Sequence, residues 1–210
     1  MFLSHLAKFK VFASELQKAM AELGMCGFVA HEDIEPDAEW QGEIEKALRT
    51  CDALVALLHE DFNLSSWTDQ EVGYALGRGV PVFSVRLDIS PYGLFGKKQA
   101  FNGRGKQVRE IARELYEAYI RHPKTEEKMS DAIVRRFCIS DSFAEAKAIC
   151  GLIERLPIWK PQYTDELKEA LANNSQISGS WGVPERLGRL LEAKAGASHP
   201  PTPKDEDIPF

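Results

Sequence analysis

The sequence predicts an α/β domain with a doubly wound parallel sheet, followed by an all-α C-terminal region. Residues 53–58 are apolar without interruption, which is typical of a strand that helices cover on both faces. Strand and helix patterns alternate at short intervals up to about residue 102, as they do in βαβ units. Beyond residue 103 the recurring pattern is helical, so the two halves of the chain differ in class.

The elements before the buried strand follow from apolar spacing and turn residues. Apolar side chains three or four positions apart predict a helix over residues 10–23, which Gly24 can end in a left-handed conformation. Residues 27–30 predict a short strand, and residues 31–39 form an acidic loop. Asp37 in this loop can act as the N-cap of a second helix.

Two helices flank the buried strand in the sequence. In the helix before it, Trp40, Ile44 and Leu48 share one face, so packing against the sheet accounts for Trp40 without a ligand. The helix after it is predicted over residues 67–76, and Ser66 is its predicted N-cap.

The remainder of the chain is predicted from the same signals. Residues 80–85 predict another buried strand. Helical periodicity then recurs over residues 105–121, 125–138, 141–156, 163–173 and 184–195. Residues 196–210 hold four of the eleven prolines and an acidic cluster, which predicts a disordered tail. The predicted limits are therefore a first domain at 1–102, a helical region at 103–195 and a tail at 196–210.

The composition is that of a soluble globular chain of 210 residues, and we expect a cytoplasmic protein. A formal net charge of −6 argues against a nucleic-acid partner, and no apolar run is long enough to span a membrane. The four cysteines stand apart among apolar neighbours, so we expect small buried residues rather than a disulfide or a zinc site. These cysteines are Cys26, Cys51, Cys138 and Cys150.

Candidate site residues lie where strands of the predicted sheet end. Ligands of open parallel sheets bind beyond the carboxyl ends of the strands, which here lead into residues 4–9, 31–39 and 59–66. The third loop opens the helix that contains Trp67 and Glu71. Because these residues are four positions apart, the indole and the carboxylate lie on one helix face.

A carboxylate beside a flat aromatic ring suits a nucleotide or a sugar. The ring can stack on a base, and the carboxylate can accept hydrogen bonds from ribose hydroxyls or stabilise an oxocarbenium-like transition state. The alternative, on spacing alone, is a tryptophan of the core beside a solvated helix glutamate.

Four motifs stand in order along the first half of the chain. They are Phe2-Leu3-Ser4-His5, the segment from Asp33-Ile34-Glu35-Pro36 through Trp40 and Ile44, the apolar run 53–58, and Ser66-Trp67 with Gln70-Glu71-Val72. Together, residues 1 to about 101 resemble a TIR (Toll/interleukin-1 receptor) domain of the bacterial type. The resemblance implies a flavodoxin-like sheet of five parallel strands, for which residues 99–101 are the only candidate fifth strand.

The resemblance also implies a site and a substrate. In enzymatic members the substrate is NAD+, with no further cofactor and no metal, and catalysis depends on self-association. The family's catalytic glutamate falls on Glu71. Its substrate-binding residues fall on Trp67 for stacking, on Ser4 and His5 at the first-strand loop, and on Asp33 and Trp40 at the mobile loop.

The positive charge that would neutralise a pyrophosphate is less well defined. Lys8 or Lys10 could supply it, or both could be solvated lysines at the start of a helix.

The sequence therefore predicts an NAD+ glycohydrolase that acts in bacterial antiphage or stress defence, with the helical half as a docking or sensing module for an activating partner. Two alternatives remain open. One is a cyclase that releases a cyclic ADP-ribose signal, and the other is a non-catalytic module for TIR–TIR interaction. No membrane partner is expected.

Overall fold

The computed structural model describes residues 1–30 and 40–197. The chain divides into two compact units, residues 1–129 and 130–210. In the described part of the chain, no helix combines the length and the apolar character that crossing a membrane requires. The acidic loop at 31–39 and the tail from residue 198 lie outside the described residues.

The first unit contains a parallel sheet flanked by helices. Its elements are β1 (Phe2–Ser4), α1 (Lys10–Glu22), α2 (Trp40–Thr50), β2 (Leu54–Leu58), α3 (Ser66–Gly77), β3 (Val82–Arg86), β4 (Phe101–Asn102) and α4 (Val108–Ile120). The strands pair in the order β1-β2-β3-β4, all parallel, with Phe2 opposite Leu54 and Leu54 opposite Val82. The predicted α/β class is confirmed.

The predicted strand at residues 27–30 is reduced to one parallel bridge between Phe28 and Phe2. The Leu3 amide donates to the Phe28 carbonyl at 3.0 Å, and the Phe28 amide donates to the Met1 carbonyl at 2.8 Å. The segment thus occupies the outer side of β1, which gives the order of a flavodoxin-like sheet when the bridge is counted as a strand. The side chains leave little room here, since a Cβ on Gly27 would lie 3.0 Å from Leu3 Cδ1.

The buried strand is the centre of the sheet. All five residues of β2 have no exposed surface, as the uninterrupted apolar run predicts. The predicted face of α2 is buried at Ile44 and Leu48, but Trp40 at its start is 42% exposed. Packing in the core therefore does not account for Trp40.

The N-cap of α3 is Ser65, so the prediction of Ser66 is wrong. Ser65 has extended backbone angles, and its hydroxyl accepts a hydrogen bond from the Thr68 amide at 3.4 Å. Ser66 is already helical and exposed. Both serines suit an N-cap by residue type. The choice depends on where the chain leaves the preceding 3₁₀ turn, Phe62–Leu64.

Helix α4 packs against α1 within the first unit. The limits predicted from the sequence assign α4 to the helical region, because periodicity reveals a buried face without revealing what covers it. Its buried residues include Ile111 and Leu115, and Gln107 with Glu110 forms a capping box at its start. The exact domain limits stay a prediction.

The second unit is helical, as predicted. It holds most of α5 (Glu126–Cys138), followed by α6 (Phe143–Ile153), α7 (Pro161–Asn173), α8 (Ser175–Ser178) and α9 (Val183–Ala197). Phe137, Ile149, Tyr163 and Leu167 are among its buried core residues. Trp181 lies in the connection before α9 and is 90% exposed.

The cysteines differ in their exposure. Cys150 is buried, Cys51 and Cys138 are half-buried, and all of them are free thiols. Cys26 is exposed, so the expectation of a buried residue is wrong there. It lies in the turn between α1 and the Phe28 bridge, where apolar neighbours in sequence do not enclose it.

Candidate functional site

A cavity of about 340 Å³ lies at the carboxyl end of β1, where α2 and α3 approach the turn that follows the strand. This is the edge at which parallel sheets bind ligands. Its lining is mostly apolar, with an acid and two tryptophans among the larger side chains. The lining residues are His5, Leu6, Ala7, Ala30, Trp40, Ile44, Ser65, Trp67, Thr68 and Glu71.

Glu71 is the acid of this cavity. It lies on the second turn of α3, lines the cavity, and is only 8% exposed. Burial raises the pKa of its carboxyl group to about 7, because the charged form loses hydration. A carboxyl group in this state exchanges its proton near neutral pH, which is unusual for a helix glutamate and typical of functional sites.

Ser4 contacts the Glu71 carboxyl group from its buried side. The Ser4 hydroxyl donates a hydrogen bond to Oε2 of Glu71 at 2.5 Å, and this bond lowers the pKa of Glu71 against the larger effect of burial. Ser4 is fully buried and does not line the cavity. Its position at the end of β1 therefore fixes the orientation of the acid.

Two tryptophans form one wall of the cavity. The rings of Trp40 and Trp67 meet edge to face with centroids 4.9 Å apart and planes at 74°. They are 42% and 40% exposed, respectively, so both present apolar surface to a ligand as well as to each other. Trp67 and Glu71 share a helix face, as their spacing predicts.

His5 directly follows β1 and also lines the cavity. Its Nδ1 is 2.9 Å from the carbonyl oxygen of Leu3, which orients the ring at the rim of the cavity. Asp33, the remaining predicted contact, lies outside the described residues.

His59 is a residue whose importance the sequence does not reveal. Its ring stacks on Phe9 with centroids 3.6 Å apart and planes at 3°, and it is 3% exposed. Burial lowers its pKa to about 4, so it is neutral at physiological pH. Phe9 ends the 3₁₀ turn that begins at Ala7, and Ala7 lines the cavity, so the histidine packs against the turn that forms part of the lining. The spacing of aromatic residues across 50 positions carries no such signal.

Positive charge is scarce in the described lining, which contains no lysine or arginine. Lys8 lies next to it in the sequence but forms an exposed ion pair with Asp61 at 2.8 Å, and Lys10 is exposed. In residues 1–30 and 40–197, no group of His, Cys, Asp and Glu side chains has the arrangement of a metal site. The cavity therefore offers an acid, aromatic surface and hydrogen bonds.

A family model described as the TIR domain matches residues 1–116, more than half of the chain. The protein belongs to the TIR-domain family. Among solved structures, the chain is similar to the TIR domain of a Toll-related receptor from Hydra magnipapillata. The two share 15% identity over 58% of this chain and 97% of the other, with a TM-score of 0.47. No curated protein matches the chain significantly.

In this TIR domain, the described structure brings four predicted site residues together at one cavity, namely His5, Trp40, Trp67 and Glu71. Ser4 contacts Glu71 from the buried side. A carboxylate in this environment can accept hydrogen bonds from a sugar and stabilise a neighbouring cation, because few waters compete for it.

Proposed function

We propose that this TIR domain cleaves the bond between nicotinamide and ribose in NAD+, giving nicotinamide and ADP-ribose. The observation that supports the proposal is the placement of Glu71, a buried acid that lines a ligand-sized cavity beside the exposed indole of Trp67. TIR domains include NAD-cleaving enzymes as well as signalling adaptors, so family membership allows the activity without establishing it.

The proposed reaction needs one well-placed anion. As the C1′–N bond breaks, its electron pair moves to the ring nitrogen, which neutralises the pyridinium and leaves an oxocarbenium-like ribose. Ionised Glu71 stabilises that cation and accepts hydrogen bonds from the ribose hydroxyls. Water then adds to C1′, and the proton that it loses goes to solvent or to Glu71. Trp67 provides a flat surface for the departing ring.

The volume of the cavity sets which part of NAD+ it takes. Pockets for small molecules range upward from about 300 Å³, so a cavity of about 340 Å³ suits the nicotinamide-ribose half. The adenylate half then extends past the rim. TIR domains commonly self-associate, and we propose that a second copy completes the site for this half.

The decisive experiment measures nicotinamide release from NAD+ by chromatography, using purified protein at high concentration. Glu71→Gln keeps the shape and the Ser4 contact but cannot ionise, so we expect a loss of about 100-fold or more in rate. Glu15→Gln makes the same chemical change at an exposed position of α1 and should keep full activity. Unchanged release in Glu71→Gln would refute the proposal.

The products separate the remaining candidates. A cyclic isomer of ADP-ribose in place of ADP-ribose would identify a cyclase, in which a group of the substrate itself replaces water at C1′. Intact NAD+ at every protein concentration would favour a non-catalytic interaction module.

We further propose that the activity serves bacterial antiphage or stress defence in the cytoplasm, where depletion of NAD+ halts growth. The helical unit would then receive the activating partner. Cells that express the wild type should lose NAD+ and resist phage, whereas cells that express Glu71→Gln should do neither.

A further inference from the structure

A second cavity of the first unit lies at the amino-terminal end of the parallel strands, whereas the Glu71 cavity lies at their carboxyl end. The volume of the second cavity is about 260 Å³, and residues 80–82 at the start of β3 form part of its floor. Because the strands are parallel, the start of β3 lies at the opposite end of the sheet from the carboxyl end of β1. Among the residues that the structure describes, the two cavities share no lining residue.

The charge around this cavity is positive. Lys97, Lys98, Lys124 and His122 line it, and none of the described lining residues is acidic. This is a local reversal in a chain whose formal net charge is −6. Basic side chains gathered around one concave surface attract anions, because their fields add in the cleft.

The lysines differ in what holds them. The Lys124 ammonium donates a short hydrogen bond to the carbonyl oxygen of Gly79, which fixes it beside the cavity. Lys97 and Lys98 are exposed and form no ion pair with any residue in the described part of the chain. Two ammonium groups are therefore available to a ligand.

The pKa of His122 is affected by the same positive charges. Burial lowers the pKa of its imidazole, and the charges of Lys98 and Lys124 lower it further, while Glu126 acts in the opposite direction. The ring is held edge-on against Phe83 with centroids 5.9 Å apart. A bound anion would offset the repulsion that these ammonium groups exert on one another.

The cavity also has an apolar side. Leu94 and Phe95 both line it, Leu94 being 83% exposed and Phe95 8% exposed. A ligand that fits must therefore combine a multiply charged anion with a compact apolar or flat group.

We propose that this cavity binds a phosphate-bearing small molecule of the nucleotide class, with its phosphates on Lys97 and Lys98 and its ring against Leu94 and Phe95. Compact ammonium charges are well suited to phosphate. More than one of them matches a diphosphate better than it matches a single carboxylate. The volume limits the enclosed part to about the size of a mononucleotide.

The test measures binding of ADP, inorganic pyrophosphate and adenosine to the full chain by isothermal titration calorimetry at fixed ionic strength. We expect ADP to bind more tightly than either pyrophosphate or adenosine. Lys97→Ala/Lys98→Ala should weaken ADP binding by about tenfold or more, because two charged contacts are lost. Lys18→Ala/Lys46→Ala removes the same charge from exposed positions elsewhere and should leave ADP binding unchanged.

A second measurement locates the ligand. Acetylation of surface lysines, read by mass spectrometry, should show that ADP protects Lys97 and Lys98 but not Lys18. Equal ADP affinity in Lys97→Ala/Lys98→Ala and the wild type would place the nucleotide elsewhere, for example in the Glu71 cavity, and would overturn the proposal. Adenosine binding as tight as ADP binding would overturn it too.

Discussion

The proposed chemistry of this TIR domain depends on the proton of Glu71. Burial favours the protonated form, and the Ser4 hydroxyl favours the ionised form by donating to Oε2. The result is a pKa of about 7, so small changes in either contact alter the ionised fraction at physiological pH. The proposed reaction requires the ionised form. Activity should therefore rise with pH through this range.

Replacing Ser4 by alanine tests this balance. Without its hydrogen bond the pKa of Glu71 should rise further above its ordinary value, so the midpoint of the rate against pH should move to higher pH. The variant should recover much of its rate at alkaline pH. Ser14→Ala removes another buried hydroxyl, one that bonds a backbone carbonyl, and should keep the wild-type midpoint. A uniform loss of rate at every pH would mean that Ser4 has only a structural role.

The same shift predicts how stability depends on pH. The folded-state pKa of Glu71 is about 7 against an ordinary value of 4.5, so the folded protein binds this proton more tightly than the unfolded chain does. The stabilisation is present below pH 4.5 and is lost as pH rises to about 7. Glu71→Gln cannot ionise and avoids this loss. At pH 8 it should be more stable than the wild type by roughly 3 kcal/mol.

Urea unfolding at pH 5 and pH 8 measures the effect. The advantage of Glu71→Gln should be large at pH 8 and small at pH 5, and Glu15→Gln should match the wild type at both. An equal difference at the two pH values would contradict the assigned pKa. A site residue that destabilises the fold at neutral pH fits the general trade between stability and function.

The positions of residues near the site differ in how well the sequence predicts them. The spacing of Trp67 and Glu71 predicts their shared face, because helix geometry alone determines it. The bond from Ser4 to Glu71 joins residues 67 positions apart, and no local rule predicts it. Trp40 shows the opposite limit: periodicity assigns it to the core, but as the first residue of α2 it lies half-exposed at a cavity that only the folded chain creates.

Helix α3 determines where the side chains of Trp67 and Glu71 point. Its first turn depends on Ser65. The Ser65 hydroxyl accepts from the Thr68 amide, and the Thr68 hydroxyl in turn donates to the carbonyl oxygen of Phe62. Trp67 lies within this bonded turn. A looser turn would therefore disturb the wall of the cavity as well as the helix.

Replacing Ser65 and Ser66 by alanine, one at a time, distinguishes the N-cap of α3 from the serine that follows it. Ser65→Ala should lower the free energy of unfolding by about 1 kcal/mol, because the Thr68 amide loses its acceptor. Ser66→Ala should change it by less than about 0.5 kcal/mol, since Ser66 is helical and exposed. Chemical denaturation at pH 7 gives both values. A larger loss in Ser66→Ala would restore the cap that the sequence predicted.

The elements themselves were largely predictable. Strand β2 and helices α1 to α3 follow from the sequence, because apolar spacing reflects which faces are buried. A strand is predicted at 27–30, but only one β-bridge forms there, at Phe28. Strand β4 is only two residues long. Edge strands depend on tertiary contacts more than on their own sequence, so their length is the least predictable part.

At the scale of the whole molecule, the division into an α/β unit and a helical unit was predictable, but the packing partners of individual helices were not. Periodicity identified α4 as a helix without showing that it packs on α1. The local sequence shows that a helix buries one face, but it does not show which element covers that face.

The proposed site implies assembly, because a cavity of about 340 Å³ has room for only part of a dinucleotide. If a second copy receives the adenylate half, the active species is an oligomer and its fraction follows mass action. Nicotinamide release per mole of protein should therefore fall steeply on dilution over about 100-fold, and an inert carrier protein should not prevent the fall. Addition of Glu71→Gln protein to dilute wild type should restore part of the rate, since the variant keeps its surface while it lacks the acid. A constant rate per mole would show that one chain binds and cleaves NAD+ alone.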